Sequence, residues 1–131
     1  MTKLTSKHLI TLIITLLYIA ALFYMSLQPL DRVRHIADSE AIRNLLHIPA
    51  YGMLAVLMLL LFKDIFSYFL ANLMVPVIGV GVALADEHLQ SFAAGRMVTQ
   101  QDLMLDVIGI AGGLVLFFLI RKTVQAVRQC P

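Results

Sequence analysis

Between residues 9 and 27 no side chain ionises except the two tyrosines, Tyr18 and Tyr24. As a helix rising about 1.5 Å per residue, that run reaches about 28 Å, close to the hydrocarbon thickness of a bilayer. It predicts a first membrane span. Similar runs at residues 45–62, 65–85 and 103–120 predict three more. Backbone groups in hydrocarbon must be satisfied internally, and four strands could not close a barrel, so all four runs are expected to be helices. The expected fold is an all-α membrane protein, a bundle of four transmembrane helices.

Composition agrees. The chain has 131 residues, 60% of them hydrophobic and 14% charged, against about 25% charged in ordinary soluble domains. Four spans and short connections use nearly all of it, which predicts one domain over residues 1–131. The net charge of +2 is scattered between apolar runs and forms no basic stripe, so nucleic acid is not an expected partner. The single cysteine, Cys130, allows no internal disulfide. Lys3 and Lys7 imitate the start of a signal peptide, but the apolar run that follows is too long, and an uncleaved anchor is expected.

Residues 28–44 are polar, yet Leu30, Val33, Ile36 and Ala37 recur at helical spacing. A short interfacial helix fits that pattern, and so does a solvated loop. Lys63-Asp64 leaves room only for a turn. With four spans, Lys3, Lys7, Lys63, Arg121, Lys122 and Arg128 fall on one side, and Arg32, Arg34, Arg43 and Arg96 on the other. Positive-inside bias then places both termini in the cytoplasm of a cell whose plasma membrane the chain spans.

On that topology the polar residues gather toward the outer face. His47 and Tyr51 open the second span, Asp86, Glu87 and Gln90 end the third, Arg96 follows in a loop, and Asp102 and Asp106 open the fourth. Offsets of four, seven and eleven put Asp102, Asp106, Gly109 and Gly113 on one helix face. A carboxylate one turn inside the membrane costs about 2.5–3.5 kcal/mol on insertion scales, so Asp106 is expected to face the bundle and find a partner. Structural alternatives stand beside this reading. Thr99-x-x-Asp102 fits a capping box, Asp86 suits a headgroup position, and a lone histidine such as His47 is often just a satisfied buried side chain. Gly109-x-x-x-Gly113 fits close helix packing, and Pro76 is expected to bend the third helix.

The residues Asp86-Glu87-x-x-Gln90-x-Phe92-x-x-Gly95-Arg96, then Asp102-x-x-x-Asp106-x-x-Gly109 and Gly112-Gly113, resemble the VanZ-like family. Phe23-Tyr24-x-Ser26-x-Gln28-Pro29 and His47-x-x-x-Tyr51-Gly52 agree with it. The chain departs before His47, where Asn44-Leu45-Leu46 stands in place of the family's frequent Asp-Lys pair. The resemblance implies that His47, Glu87, Gln90, Arg96, Asp102 and Asp106 belong to a site. It also implies, for some members, reduced susceptibility to teicoplanin-type glycopeptides, without naming a reaction.

Three functions are compatible with these residues. In the first, a site near the outer leaflet binds or acts on an envelope lipid, a lipid-linked precursor or a glycopeptide-type amphiphile. His47, Glu87 and Asp106 would do acid–base work there, while Tyr51, Gln90, Arg96 and Asp102 hold the substrate. A divalent cation among those oxygens and His47 is compatible with this, as a cofactor. No nucleophile stands out, since Cys130 is at the wrong end and Ser26 and Ser91 have no adjacent base in the sequence. The second function is an ion- or proton-coupled transporter, and the third is a non-enzymatic membrane protein in which the cluster is a structural network.

Overall fold

The computed structural model describes residues 6–34, 39–96 and 100–129. Within them lie α1 (Ser6–Ser26), α2 (Leu30–Arg34), α3 (Glu40–Leu45), α4 (His47–Phe62), α5 (Tyr68–Gln90) and α6 (Gln100–Gln129). Four stretches are long and apolar enough to cross a membrane: α1, α3 with α4, α5 and α6. The Ile36 and Ala37 part of the expected interfacial helix, Thr99 of the capping box, Lys3 and Cys130 lie outside the described residues.

Side-chain contacts give the helix directions. At one end of the bundle His8 of α1 lies 3.8 Å from Asp64 in the α4–α5 turn, and the Arg121 guanidinium of α6 sits 4.2 Å from the ring centre of Tyr68, the first residue of α5. At the other end the last residue of α1 meets the late part of α5, and the first residue of α4 meets the first turns of α6. Successive spans therefore run antiparallel.

α4 is the central helix, packed against α1, α5 and α6. Its Tyr51, Leu54, Ala55, Met58 and Leu59 are fully buried, together with Val75 and Ala83 of α5 and Ile110 of α6. The α4–α6 seam is the tightest. A Cβ placed on Gly109 would collide with the Ile48 carbonyl oxygen, and one on Gly113 with the Gly52 carbonyl oxygen. The two backbones touch because these positions carry no side chain. On the α5 side, a Cβ on Gly79 would lie 2.9 Å from Ile110 Cδ1.

The outer surface is apolar in a way that water does not tolerate. Phe69 is 79% exposed, and Leu17, Val77 and Val127 are also well exposed. Patches of this extent on a soluble monomer would drive association, whereas hydrocarbon solvates them.

Three boundaries differ from the hydropathy reading. α5 starts at Tyr68, three residues after the apolar run begins, because Ser67 Oγ accepts the Leu70 amide and caps the helix. α6 continues past Ile120 to Gln129, since hydropathy marks where lipid ends and not where a helix must. The segment between the first two spans contains two short helices, α2 and α3, and α3 runs almost directly into α4.

Candidate functional site

The site occupies the end of the bundle where α1 and α5 finish and α4 and α6 begin. His47 starts α4, and four residues on, one turn later, Tyr51 occupies the same face. Their rings are parallel, with centres 6.4 Å apart. From α6, Asp102 and Asp106 repeat at the same spacing. Asp106 Oδ1 lies 2.8 Å from His47 Nδ1, a bond between the two helices that the glycine seam holds together. Asp106 is 2% exposed. A carboxylate on Nδ1 orients the imidazole and favours the tautomer whose Nε2 accepts a proton.

From α5 the inward residues are Asp86 and Gln90. Gln90 Nε2 donates to Asp86 Oδ2 at 3.2 Å, and Ser26 Oγ at the end of α1 donates to Asp86 Oδ1 at 2.5 Å. Asp86 is 2% exposed and Ser26 is buried. The buried Tyr51 hydroxyl faces the same carboxylate without a hydrogen bond of ordinary length. Asp102 is 8% exposed, and its Oδ1 is buried without a hydrogen-bond partner among the described residues.

The loop after α5 positions Arg96. Gly95 adopts φ +76°, in the left-handed region where glycine is unstrained. The Leu30 amide donates to the Ala94 carbonyl at 3.1 Å, tying this loop to α2. The Arg96 guanidinium donates to the Met25 carbonyl at 3.4 Å and makes no ion pair with a carboxylate among the described residues. Burial pulls its pKa below the usual arginine value, and the nearby Asp86 and Asp102 oppose that pull. An arginine stays charged nonetheless. Gly95→Ala is therefore expected to destabilise the fold by about 1–2 kcal/mol through left-handed strain and to displace Arg96, a loss that thermal melting in detergent would register.

Two adjoining cavities open beside these residues. One, of about 390 Å³, is lined by Arg34, Glu40, Arg43, His47, Arg96 and Asp102 among others, under α2 and α3. The second, of about 490 Å³, lies along α1 and α4, with Tyr18, Leu22, Ala50 and Met53 in its wall. Met25, Arg43, Leu46, His47, Gln90 and Arg96 line both.

Of the residues singled out from sequence, the structure brings His47, Tyr51, Gln90, Arg96, Asp102 and Asp106 to this end of the bundle. It does not bring Glu87 to the cavities. Glu87 is half-buried and lines neither, while Asp86 points inward in its place. The reason is rotation: positions 86 and 90 share a helix face, and residue 87 lies about 100° around the helix from 86. Ser26 has no base nearby in sequence, yet Asp86, 60 residues on, is its partner in space. The chemistry of these oxygens and His47 would suit a divalent cation, but among the described residues no three such groups converge to hold one.

Against known proteins, no curated protein and no solved structure matches the chain. A sequence profile of the VanZ/LLP1 family matches residues 5–121, which cover α1 to α5, most of α6 and every residue of the site. The chain belongs to the VanZ/LLP1 family of multi-pass membrane proteins.

Proposed function

We propose that the chain binds an envelope amphiphile at the outer face of the plasma membrane and that the His47–Asp106 pair performs acid–base work on it. The observation that carries this reading is His47 at the wall of a cavity that also holds Arg96, with Asp106 hydrogen-bonded to its Nδ1 from behind. Asp106 fixes Nδ1 and leaves Nε2 to accept a proton. Arg96 supplies a planar fork for phosphate or carboxylate. An amphiphile suits the pairing of a polar cavity with an apolar one. Asp86, held by Ser26 and Gln90, supports the floor.

A coupled transporter gains nothing from this arrangement. Below the site the buried side chains include Leu54, Met58, Leu59 and Val75, and the buried Thr15 hydroxyl is bonded to its own helix at the Thr11 carbonyl, whereas a transported ion would need polar groups facing its path.

The orientation follows the arginine and lysine distribution. Cysteines introduced at the exposed Ser39 and Ala94 are expected to react with an impermeant thiol reagent added to intact cells, with Cys130 protected. Labelling of Cys130 alone would invert the topology. For the function, Arg96→Lys keeps the charge and removes the fork. In cells whose tolerance of a teicoplanin-type glycopeptide depends on this chain, it is expected to lower that tolerance per folded molecule. A fall strictly in step with protein abundance would count against a binding site.

A further inference from the structure

The two adjoining cavities differ in chemistry, and the difference is informative about the ligand. The first is walled by Arg34, Arg43 and Arg96, with the carboxylates of Glu40 and Asp102 at its side. Arg96 enters it without a carboxylate partner among the described residues. Asp102, more than nine-tenths buried, presents an oxygen that no described donor reaches. A lone anion would satisfy the arginine and be repelled by the aspartate. A lone sugar or alcohol would satisfy the aspartate and leave the guanidinium fork unused. A group that carries an anion beside free hydroxyls satisfies both, since the fork takes two anionic oxygens and the carboxylate accepts from O–H.

The second cavity continues from this point along the seam between α1 and α4. Ser26, Asp86 and Gln90 line its inner end, and Tyr18, Leu22, Ala50 and Met53 its outer part, where Met53 is 52% exposed on the lipid side. Tyr18 Oη donates to the Ala50 carbonyl at 3.0 Å, so a hydrogen bond pins α1 to α4 at this level without closing the seam with bulk. A mainly apolar channel that begins beside Arg96 and the polar end of the site and runs out to hydrocarbon fits an acyl chain. It has no evident use for a free solute.

Resting on the amphiphile reading above, we infer that the ligand is a polyol-phosphate lipid, whose phosphate lies on Arg96, whose hydroxyl donates to Asp102, and whose acyl chain lies in the α1–α4 seam. The headgroup then sits beside His47 Nε2, and the tail reaches the bilayer without leaving it. Selectivity comes from two features read together. Loss of either the phosphate or the chain removes one set of contacts.

The test uses the full chain in a non-ionic amphipol, titrated with three probes. Lysophosphatidylglycerol has phosphate, hydroxyls and tail; glycerol 3-phosphate lacks the tail; a monoacylglycerol of the same chain length lacks the phosphate. Lysophosphatidylglycerol is expected to bind at least tenfold more tightly than the monoacylglycerol, the scale set by a charge-assisted bidentate contact, and about a hundredfold or more above glycerol 3-phosphate, because a buried chain contributes at every methylene. Arg96→Lys and Met53→Trp should each weaken it about tenfold or more, and Met53→Trp should leave glycerol 3-phosphate unchanged. If Met53→Trp does not fold, Leu22→Trp obstructs the same seam. A monoacylglycerol that binds as tightly as lysophosphatidylglycerol overturns the phosphate assignment while the amphiphile reading stands. Glycerol 3-phosphate binding as tightly as the lipid overturns the seam. If neither amphiphile binds, the proposed function falls as well.

Discussion

Gly113→Leu is expected to lower the melting temperature in detergent by about 10 °C or more, or to prevent accumulation of the protein. At that position even a Cβ would collide with the Gly52 carbonyl, and its neighbour Ala55 Cβ lies at 3.0 Å. Backbone cannot yield as a flexible side chain does, so α6 has to move away from α4. Overpacking of this kind costs about 1–3 kcal/mol and more where the obstacle is rigid, and each kcal/mol is worth several degrees in a domain this small. The separation would also pull Asp106 from His47, because both lie on the seam. Gly112→Leu provides the contrast. Nothing lies within 4 Å of a Cβ there, the residue faces outward, and the melting curve should barely change. Equal losses from the two variants would place the Gly109–Gly113 face elsewhere.

Asp106→Asn is expected to have the largest effect on function relative to fold. The amide has the shape of the carboxylate and can still accept from His47 Nδ1–H, so the bundle should assemble with little loss. What disappears is the negative charge that stabilises a protonated imidazole. Positioned acid–base groups contribute about 10²–10⁴ in rate, and a loss of about a hundredfold per folded molecule is the expected outcome, measured as glycopeptide tolerance or ligand turnover normalised to folded protein. Asp86→Asn should cost more than Glu87→Gln in the same assay. Asp86 is bonded to Ser26 and Gln90 inside the site, and Glu87 lines neither cavity. The reverse ranking would return the acid's role to Glu87.

Hydropathy alone made the four spans legible, because a run of about twenty apolar residues has few other uses. The close-packing face of α6 was also legible, though not that α4 is its partner. Offsets of three and seven from Asp106 to the glycines require one face whatever the surroundings, and the structure fills that face with Gly52 and His47. Less could be read where side-chain direction decides. The adjacent acids Asp86 and Glu87 look alike in sequence, and only the packing of α5 against α1 and α4 turns the first inward. The Ser26–Asp86 contact joins residues 60 positions apart, a distance over which local pattern carries no information. The start of α5 rests on a single capping serine, and Gly95 acts through a backbone angle that composition does not express. The two cavities depend on how α2 and α3 lie over the bundle, which no periodicity in residues 28–44 specified.

The most direct measurement is an experimental structure of the full chain prepared in its native lipid. Density for a headgroup against Arg96, continuous with a chain passing between Tyr18 and Met53, is the predicted result. Cavities holding only water, with every lipid confined to the outer surface of the bundle, would contradict an amphiphile site at this end of the protein.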